Sequence, residues 1–140
     1  MMPRILVDTW FWVALNWERD QDHDLAVLAN DELLDQDYVY VTTNFILAEA
    51  YTLLRRWAGP ERAIAFGREI RAAVQAEAME LVYVTPEMES EAWTVFELYS
   101  DVRDLSYVDC TTFVAMQEAG LFEALTNDEH FSMVGFAIQP

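Results

Sequence analysis

The chain has 140 residues, 54% of them hydrophobic and 14% aromatic, and a formal net charge of −17 at pH 7. Domains most often contain about 100–150 residues, and a chain this apolar is not intrinsically disordered, so we expect one domain that spans residues 1–140. All eight basic residues are Arg. The absence of Lys excludes phosphate loops of the GxxxxGK type, Schiff-base enzymes and any catalytic Lys.

Composition also limits the cellular setting and the partners. The single cysteine, Cys110, cannot form an internal disulfide, and together with two His it cannot build an ordinary structural zinc site. No apolar run approaches the roughly 20 residues that cross a bilayer, so we expect a cytoplasmic protein with no membrane partner. The acidic surplus argues against indiscriminate binding to nucleic acid and is compatible with metal ions or basic partners.

Hydrophobic periodicity, taken in chain order, predicts strands that alternate with helices. The predicted strands cover residues 4–7, 38–42, 79–85, 123–126 and 135–138. The predicted helices cover residues 9–16, 25–36, 45–57, 61–76, 86–100 and 106–120, and Thr9 is a candidate N-cap for the first of them. Because the connections are too long for hairpins, this pattern indicates an α/β fold with a parallel sheet covered by helices on both faces.

Acidic residues occur at or just beyond the carboxyl ends of the predicted strands, where ligands gather in a parallel sheet. They are Asp8, Glu49, Asp109 and Asp128. Three of them also have purely structural interpretations. An Asp that follows a strand can cap or terminate it, the spacing Ser106-x-x-Asp109 matches a capping box, and an Asp in the polar run TNDEH suits a turn.

Glu49 has no such structural interpretation in the sequence. It is the only charged residue between Thr43 and Leu54, in a helix that is predicted to be apolar almost all round. No residue four positions away offers it an ion pair. A lone glutamate on a largely buried helix must find a cation or be protonated, and this favours a functional role.

The four carboxylates would repel one another unless something positive lies among them. A hard divalent cation with oxygen ligands resolves that repulsion, and Mg²⁺ or Mn²⁺ suits a site that is made of carboxylates and lacks Lys. Thr9, Ser106 and Thr126 are candidates to orient these ligands by hydrogen bonding. For Thr9 and Ser106, plain helix capping is the alternative. Carboxylates, a metal ion and helix N-termini that favour a phosphate together indicate phosphodiester hydrolysis.

The order of these residues resembles that of PIN-domain nucleases, and more narrowly that of toxin ribonucleases of the VapC type. The matching segments are ILVDTWFWVAL, TTNFILAEAYTLLRR, RDLSYVDCTTFVAMQEAGL and ALTNDEHFSMVGFAIQP, which extend over the whole chain. The resemblance implies a PIN-like three-layer α/β/α sandwich with a parallel sheet of about five strands. It also implies a homodimer.

Carried over position by position, the resemblance assigns the family's acidic quartet to Asp8, Glu49, Asp109 and Asp128. These residues are then both the metal ligands and the catalytic residues of an endoribonuclease that hydrolyses RNA with a metal-activated water. The implied cofactor is Mg²⁺ or Mn²⁺. The implied partners are the RNA substrate and a small antitoxin that covers the acidic site.

Several other residues have two interpretations in the sequence. The aromatic group at Trp10, Phe11 and Trp12 suits core or dimer packing better than base stacking. His130 is expected to orient a loop, and Asp104 suits a solvated loop charge better than a contact near the metal. Surface ion pairs explain most of the arginines closest to the acidic segments better than RNA binding does; these arginines are Arg19, Arg55, Arg56 and Arg103.

The sequence leaves one alternative to the ribonuclease open and argues against two others. A PIN domain that serves only as a binding or assembly module is not excluded by the sequence, although all four carboxylates are present. A phosphatase of the haloacid dehalogenase type requires a second Asp or Thr where Trp10 stands, and a Lys that is absent, so we reject it. A flap-type DNA nuclease usually carries more acidic ligands and large insertions, for which this chain has no room.

Overall fold

The computed structural model describes residues 2–140, and these residues form one parallel sheet of five strands together with seven helices. The strands are β1 (Arg4–Val7), β2 (Val39–Thr43), β3 (Glu80–Val82), β4 (Glu123–Leu125) and β5 (Ala137–Gln139). The helices are α1 (Thr9–Asn16), α2 (His23–Asp35), α3 (Asn44–Trp57), α4 (Pro60–Gln75), α5 (Pro86–Leu98), α6 (Tyr107–Ala119) and α7 (His130–Met133). The predicted α/β class and the five-stranded parallel sheet are therefore confirmed.

The strand order creates a natural place for a ligand. The sheet runs β3-β2-β1-β4-β5, with every neighbouring pair parallel. The strands β2 and β3, which follow β1 in the sequence, lie on one side of it, and the later strands β4 and β5 lie on the other side. At such a switch point in strand order, the loops that leave the two adjacent strands run to opposite faces of the sheet and leave a crevice at its carboxyl edge. That crevice lies here between β1 and β4.

Both faces of the central strand are covered. Successive residues of a strand point to opposite faces of the sheet, yet Ile5, Leu6 and Val7 are 0%, 1% and 0% exposed. Most helix contacts fall into two groups, one in which α1 contacts α2 and α3 while α3 contacts α4, and one in which α5 contacts α6; α3 also contacts α6. This arrangement agrees with the predicted α/β/α layering.

An aromatic cluster fixes α1 on the sheet and settles the role of two of the three aromatic residues in that helix. Phe11 and Trp12 are buried, and each ring meets Tyr40 edge-on, at centroid distances of 6.1 and 6.0 Å. The Trp12 indole nitrogen donates a hydrogen bond to Thr42 Oγ1 at 3.2 Å. Both residues therefore belong to the core, as the sequence favoured. Trp10 is only half-buried, and its indole donates to Asp22 Oδ2.

Three local predictions need correction. The third strand was predicted over 79–85 but ends at Val82, because the chain then turns so that the Val84 amide donates to the Asn44 side chain instead of a strand. The first helix is capped by Asp8 and not by Thr9. The short helix α7 was not predicted, since four residues are too few to show helical periodicity.

Two further observations concern the chain as a whole. None of the helices within residues 2–140 has both the length and the apolar character that crossing a membrane requires. The single cysteine, Cys110, is buried in α6, and burial, followed by the neighbouring Asp109 charge, raises the pKa of its thiol to about 11. A thiol in that state is inert and serves as a small apolar side chain, as the sequence suggested.

Candidate metal centre

Asp8 lies at the carboxyl end of β1, inside the crevice, and is only 8% exposed. Because the strand stops there and α1 begins at the next residue, the carboxylate is held against the helix N-terminus. Its Oδ1 accepts a hydrogen bond from the Thr9 backbone amide at 2.9 Å, and its Oδ2 accepts one from the Thr126 hydroxyl at 2.7 Å. Both oxygens are therefore fixed in place.

Thr126 joins the two sides of the crevice. It follows β4 directly, and its backbone amide donates to the carbonyl of Gln139, which anchors it to β5. While its hydroxyl donates to Asp8, the same oxygen accepts a hydrogen bond from the Asp128 amide at 3.1 Å. One buried hydroxyl thus sets the separation between the end of β1 and the loop that carries Asp128.

Asp109 enters the crevice from the first turn of α6. Ser106 is the N-cap, and its hydroxyl accepts a hydrogen bond from the Asp109 amide at 2.9 Å, while the Ser106 amide donates to Asp109 Oδ2 at 3.3 Å. The predicted capping box is therefore present. Capping does not exclude the functional role, because it fixes the direction in which this buried carboxylate points.

His130 completes the cluster, although the sequence indicated only a role in orienting a loop. Its Nδ1 lies 3.0 Å from Asp128 Oδ1 and 3.9 Å from Asp109 Oδ2, and its Nε2 lies 3.1 Å from Asp104 Oδ1. One ligand atom each from Asp109, Asp128 and His130 lie within 4.8 Å of one another. The contact with Asp104 holds the loop before α6, which is the role predicted for His130. The position of its Nδ1 atom in the acidic cluster is a second role that the sequence did not predict.

The spacing between Asp128 and His130 in the sequence is a signal that the two side chains lie close together. The Asp128 carboxylate accepts a hydrogen bond from the His130 backbone amide at 2.9 Å, which is the turn that an Asp two residues ahead commonly makes. That turn brings the imidazole back toward the carboxylate that initiates it. The spacing Asp128-x-His130 therefore predicts proximity whenever the Asp is taken as a turn residue.

Glu49 differs from its prediction. The helix α3 is not buried all round, since it packs through residues such as Ile46, Ala50 and Leu54 and leaves Glu49 exposed. An exposed Glu49 does not need the neutralising partner that the sequence predicts for a buried glutamate, so that prediction is wrong. Its charge nevertheless contributes to the raised pKa of Asp8.

The carboxylates of the crevice destabilise one another. Burial, with smaller contributions from the charges of Asp128 and Glu49, raises the pKa of Asp8 to about 6, although the hydrogen bonds from Thr126 and Thr9 act to lower it. Burial also raises the pKa of Asp109 well above its usual range, and the charges of Asp128 and Asp8 add to this effect. At neutral pH the site therefore holds negative charge that the protein itself does not balance.

No arginine relieves this repulsion. Among residues 2–140, the arginine ion pairs are Arg4 with Glu80 and Arg62 with Glu69, both outside the crevice. The nearby positive group is His130: burial acts to lower the pKa of its imidazole, but the carboxylates of Asp128, Asp104 and Asp109 outweigh burial and raise it. One imidazole is too little charge for the several carboxylates around it.

These features fit a bound divalent cation. Two of the carboxylates are buried, and the His130 Nδ1 atom is buried without a hydrogen-bond partner in the described residues although two carboxylate oxygens lie nearby. Buried carboxylates without partner cations are rare because the ionised form is so costly to desolvate. Oxygen ligands with one imidazole form a set that a divalent metal ion accepts.

The predicted supporting residues behave differently from one another. The Thr126 hydroxyl donates to the Asp8 carboxylate, and the Ser106 hydroxyl accepts from the Asp109 backbone amide. Thr9 reaches Asp8 through its backbone amide, and its hydroxyl is buried and makes no hydrogen bond to any residue within 2–140. The hydroxyl of Thr9 therefore keeps a supporting role only as a prediction.

We predict that removing one buried charge stabilises the metal-free protein. The pKa values of Asp8 and Asp109 are higher in the native state than in the unfolded chain, so the native state binds more protons between pH 4 and 7. Because of this difference, the two groups make the free energy of unfolding fall as the pH rises through this range. Asp109→Asn should raise the unfolding free energy at pH 7.5 by about 1–3 kcal/mol and flatten its decline with pH. Urea denaturation in the presence of a chelator measures both.

The matched control is Glu118→Gln, which removes one charge from the exposed last turn of the same helix. It should change the unfolding free energy by no more than about 0.5 kcal/mol. An Asp109→Asn protein that is less stable than the wild type at pH 7.5 would contradict the account of the repulsion.

Comparison with known proteins places this geometry in a family. The model of the PIN domain matches residues 5–137. A 23S rRNA-specific endonuclease of Mycobacterium tuberculosis, VapC20, is 35% identical over 133 residues, which are 94% of this chain and 95% of that protein. The crystal structure of that VapC20, described as a sarcin–ricin loop cleaving toxin, superposes with a TM-score of 0.77 at 33% identity and covers 95% of this chain and 96% of the other.

More distant structures share the fold. VapBC2 from Rickettsia felis, solved with a DNA fragment from its promoter, gives a TM-score of 0.64 at 13% identity over 97% of both chains. FitAcB from Neisseria gonorrhoeae gives 0.63 at 13% identity, over 97% of this chain and 96% of that one. The acidic crevice lies at the switch point of a five-stranded parallel sheet, and the PIN-domain model matches nearly the whole chain. The chain therefore belongs to the PIN-domain family.

Proposed function

We propose that this protein is a metal-dependent endoribonuclease that acts as the toxin of a toxin–antitoxin pair. The observation that carries the proposal is the cluster of Asp109, Asp128 and His130, whose ligand atoms lie within 4.8 Å of one another. The buried carboxylate of Asp8 is close enough for its charge to raise the pKa of Asp109, and no arginine forms an ion pair with these acidic residues within residues 2–140. The 35% identity over almost the whole chain to a 23S rRNA-specific endonuclease supports the same conclusion. A protein that kept the fold only for binding would have no need for buried, mutually repelling carboxylates.

Mg²⁺ or Mn²⁺ is the cofactor we propose, held by Asp8, Asp109 and Asp128, with the exposed Glu49 as a further candidate ligand. When bound, such an ion would supply a Lewis acid that activates a water molecule and stabilises the leaving oxygen of the phosphodiester. His130 is a candidate additional ligand through Nδ1.

The protein's own residues would contribute fixed positions. Asp8 is immobilised through both oxygens, and Asp109 is held by its capping box, so neither carboxylate needs to rearrange when a cation or a phosphate arrives. Groups positioned in advance in this way lower the reorganisation that accompanies the reaction. The N-termini of α1 and α6 face the same edge and favour the charge of a phosphate.

We propose structured RNA as the substrate, and the sarcin–ricin loop of 23S rRNA as the first RNA to test, because the VapC20 structure is described as that of a toxin that cleaves this loop. A loop suits the site better than a regular duplex, since its backbone can bend into a crevice that closes around one phosphodiester.

The expected partner is a small antitoxin that covers the crevice. An Arg inserted among the carboxylates would form charge-assisted hydrogen bonds and would satisfy the negative charge that this chain leaves unpaired. The homodimer and the cytoplasmic location expected from the sequence stay predictions. Sedimentation velocity of the purified protein tests the homodimer.

We predict that the purified protein cleaves a sarcin–ricin stem–loop RNA at one position in the presence of Mg²⁺ or Mn²⁺, and that a chelator stops the reaction. Asp109→Asn should lower the rate constant at least about 100-fold, because a lost ligand costs more than the 10–100-fold typical of an outer hydrogen-bond partner. Gel analysis of end-labelled RNA measures the rate and maps the cut.

The control is again Glu118→Gln, which should cleave at the wild-type rate. Cleavage that continues with chelator present, or an Asp109→Asn protein that is as active as the wild type, would overturn the proposal. Wild-type protein that binds the RNA without cutting it would favour a binding module instead.

We predict that Thr126 positions the metal ligands through the hydrogen bonds of its hydroxyl, and that its methyl group does not affect activity. Thr126→Val keeps the shape but removes both the donor to Asp8 and the acceptor for the Asp128 amide, so activity at limiting Mn²⁺ should fall by about 10–100-fold. Part of this loss should be recovered at high Mn²⁺, because the carboxylates are still present. Rates measured over a Mn²⁺ titration separate the two effects.

Thr126→Ser is the matched variant, since it retains the hydroxyl and loses only a methyl group. It should restore the wild-type dependence on Mn²⁺. If the Val variant shows the same Mn²⁺ dependence as the Ser variant, the hydroxyl does not position the site.

A further inference from the structure

Positive charge is concentrated in one part of this acidic protein. The hairpin formed by α3 and α4, residues 44–75, contains five of the eight Arg and only three Glu, for a net charge of +2. The remaining 108 residues carry three Arg and 22 acidic residues, for a net charge of −19. We call residues 44–75 the basic hairpin. A polyanion that approaches this protein meets repulsion nearly everywhere else.

Four arginines of the basic hairpin are free to meet an external anion. Within residues 2–140, Arg55, Arg56, Arg68 and Arg71 make no ion pair with any carboxylate, although acidic residues outnumber basic ones threefold. All four side chains are exposed. Arg19 and Arg103 form no ion pair either, so the expectation from the sequence that surface ion pairs explain most of the arginines near the acidic segments is wrong.

Three of these arginines, Arg55, Arg68 and Arg71, line a continuous groove between α3 and α4. It consists of two adjoining cavities of about 350 and 290 Å³ that share Tyr51 and Arg71 in their walls. Arg55 and Arg68 line the smaller cavity, and Tyr83 lines the larger one and is 65% exposed. We call this surface, lined by Tyr51, Arg55, Arg68, Arg71 and Tyr83, the arginine–tyrosine groove.

The larger cavity of the arginine–tyrosine groove reaches the carboxyl edge of the sheet, where the metal centre also lies. Asn44, the first residue of α3, lines the groove and accepts a hydrogen bond from the Val84 amide at 2.8 Å, which holds Tyr83 at the exit of β3. The strand β3 is two positions from β1 in the sheet, a separation of roughly 10 Å at the usual spacing of strands. Glu49, whose charge contributes to the raised pKa of Asp8, lies on the same helix as Tyr51.

We propose that the arginine–tyrosine groove binds the RNA backbone that flanks the cleaved phosphodiester. Guanidinium groups bind phosphates through paired hydrogen bonds, and exposed tyrosine rings stack on unpaired bases, so the groove contains both elements of single-stranded RNA recognition. An acidic peptide would match the arginines but would leave the exposed Tyr83 ring unexplained. The inference rests on the proposed ribonuclease function and adds the surface by which an acidic enzyme holds its substrate.

The test compares two double variants that lose the same charge from the same hairpin. Arg68→Gln/Arg71→Gln removes two guanidinium groups from the groove, whereas Arg56→Gln/Arg62→Gln removes two that lie outside it. Cleavage of the sarcin–ricin stem–loop is followed at several salt concentrations. The groove variant should raise KM on the order of tenfold at low salt, leave kcat nearly unchanged, and reduce the slope of log KM against log salt by about 1.4 for two lost phosphate contacts.

The control variant should keep the wild-type KM and salt slope. A third protein, Arg68→Lys/Arg71→Lys, keeps the charge without the paired geometry and should restore the salt slope more fully than the KM. Circular dichroism melting shows whether each protein is folded.

The outcomes separate this inference from the proposed function. If the wild type does not cleave RNA, the proposed function fails, and the groove inference, which rests on it, fails with it. If the wild type cleaves and the groove variant has an unchanged KM and salt slope, only the groove inference is overturned. A groove variant that cleaves normally but no longer binds an acidic peptide would assign the groove to a protein partner and would also overturn it.

Discussion

Carboxylates buried at the switch point of the sheet repel one another, and this repulsion determines what the site can bind. Asp8 and Asp109 are both taken out of water and lie close to Asp128, so the protein accepts an electrostatic cost that its own hydrogen bonds only partly offset. The fold confines this cost to one crevice. The Thr126 hydroxyl donates to the Asp8 carboxylate and the Ser106 backbone amide donates to the Asp109 carboxylate, and these hydrogen bonds hold both carboxylates in place.

The sequence predicts those features that depend on local chemistry. A short apolar run that ends abruptly at Asp8 specifies a buried strand and the edge of the site, and the spacing from Ser106 to Asp109 specifies both a helix start and the direction of a carboxylate. Parallel topology follows from the alternation of strands and helices. These elements are local enough to be decided by a few neighbouring residues.

The features that the sequence did not predict depend on packing between distant elements. Glu49 lies between two Ala, so its helix looks apolar all round, and only the packing of α3 against α1 and α4 shows which face meets solvent. His130 joins the cluster because a short turn returns it to Asp128 and because the loop at Asp104 lies opposite. The grouping of Arg68 and Arg71 with Tyr83 brings together α4 and the exit of β3, and no local pattern reveals it.

Mn²⁺ binding followed by electron paramagnetic resonance shows whether the acidic crevice holds a divalent cation. At about 150 mM salt, where weak binding to the acidic surface is screened, the wild type should bind Mn²⁺ saturably. Asp8→Asn should weaken that binding at least about tenfold, and Glu118→Gln should leave it unchanged. Saturable binding that is equal in all three proteins, or absent from the wild type, would contradict the account.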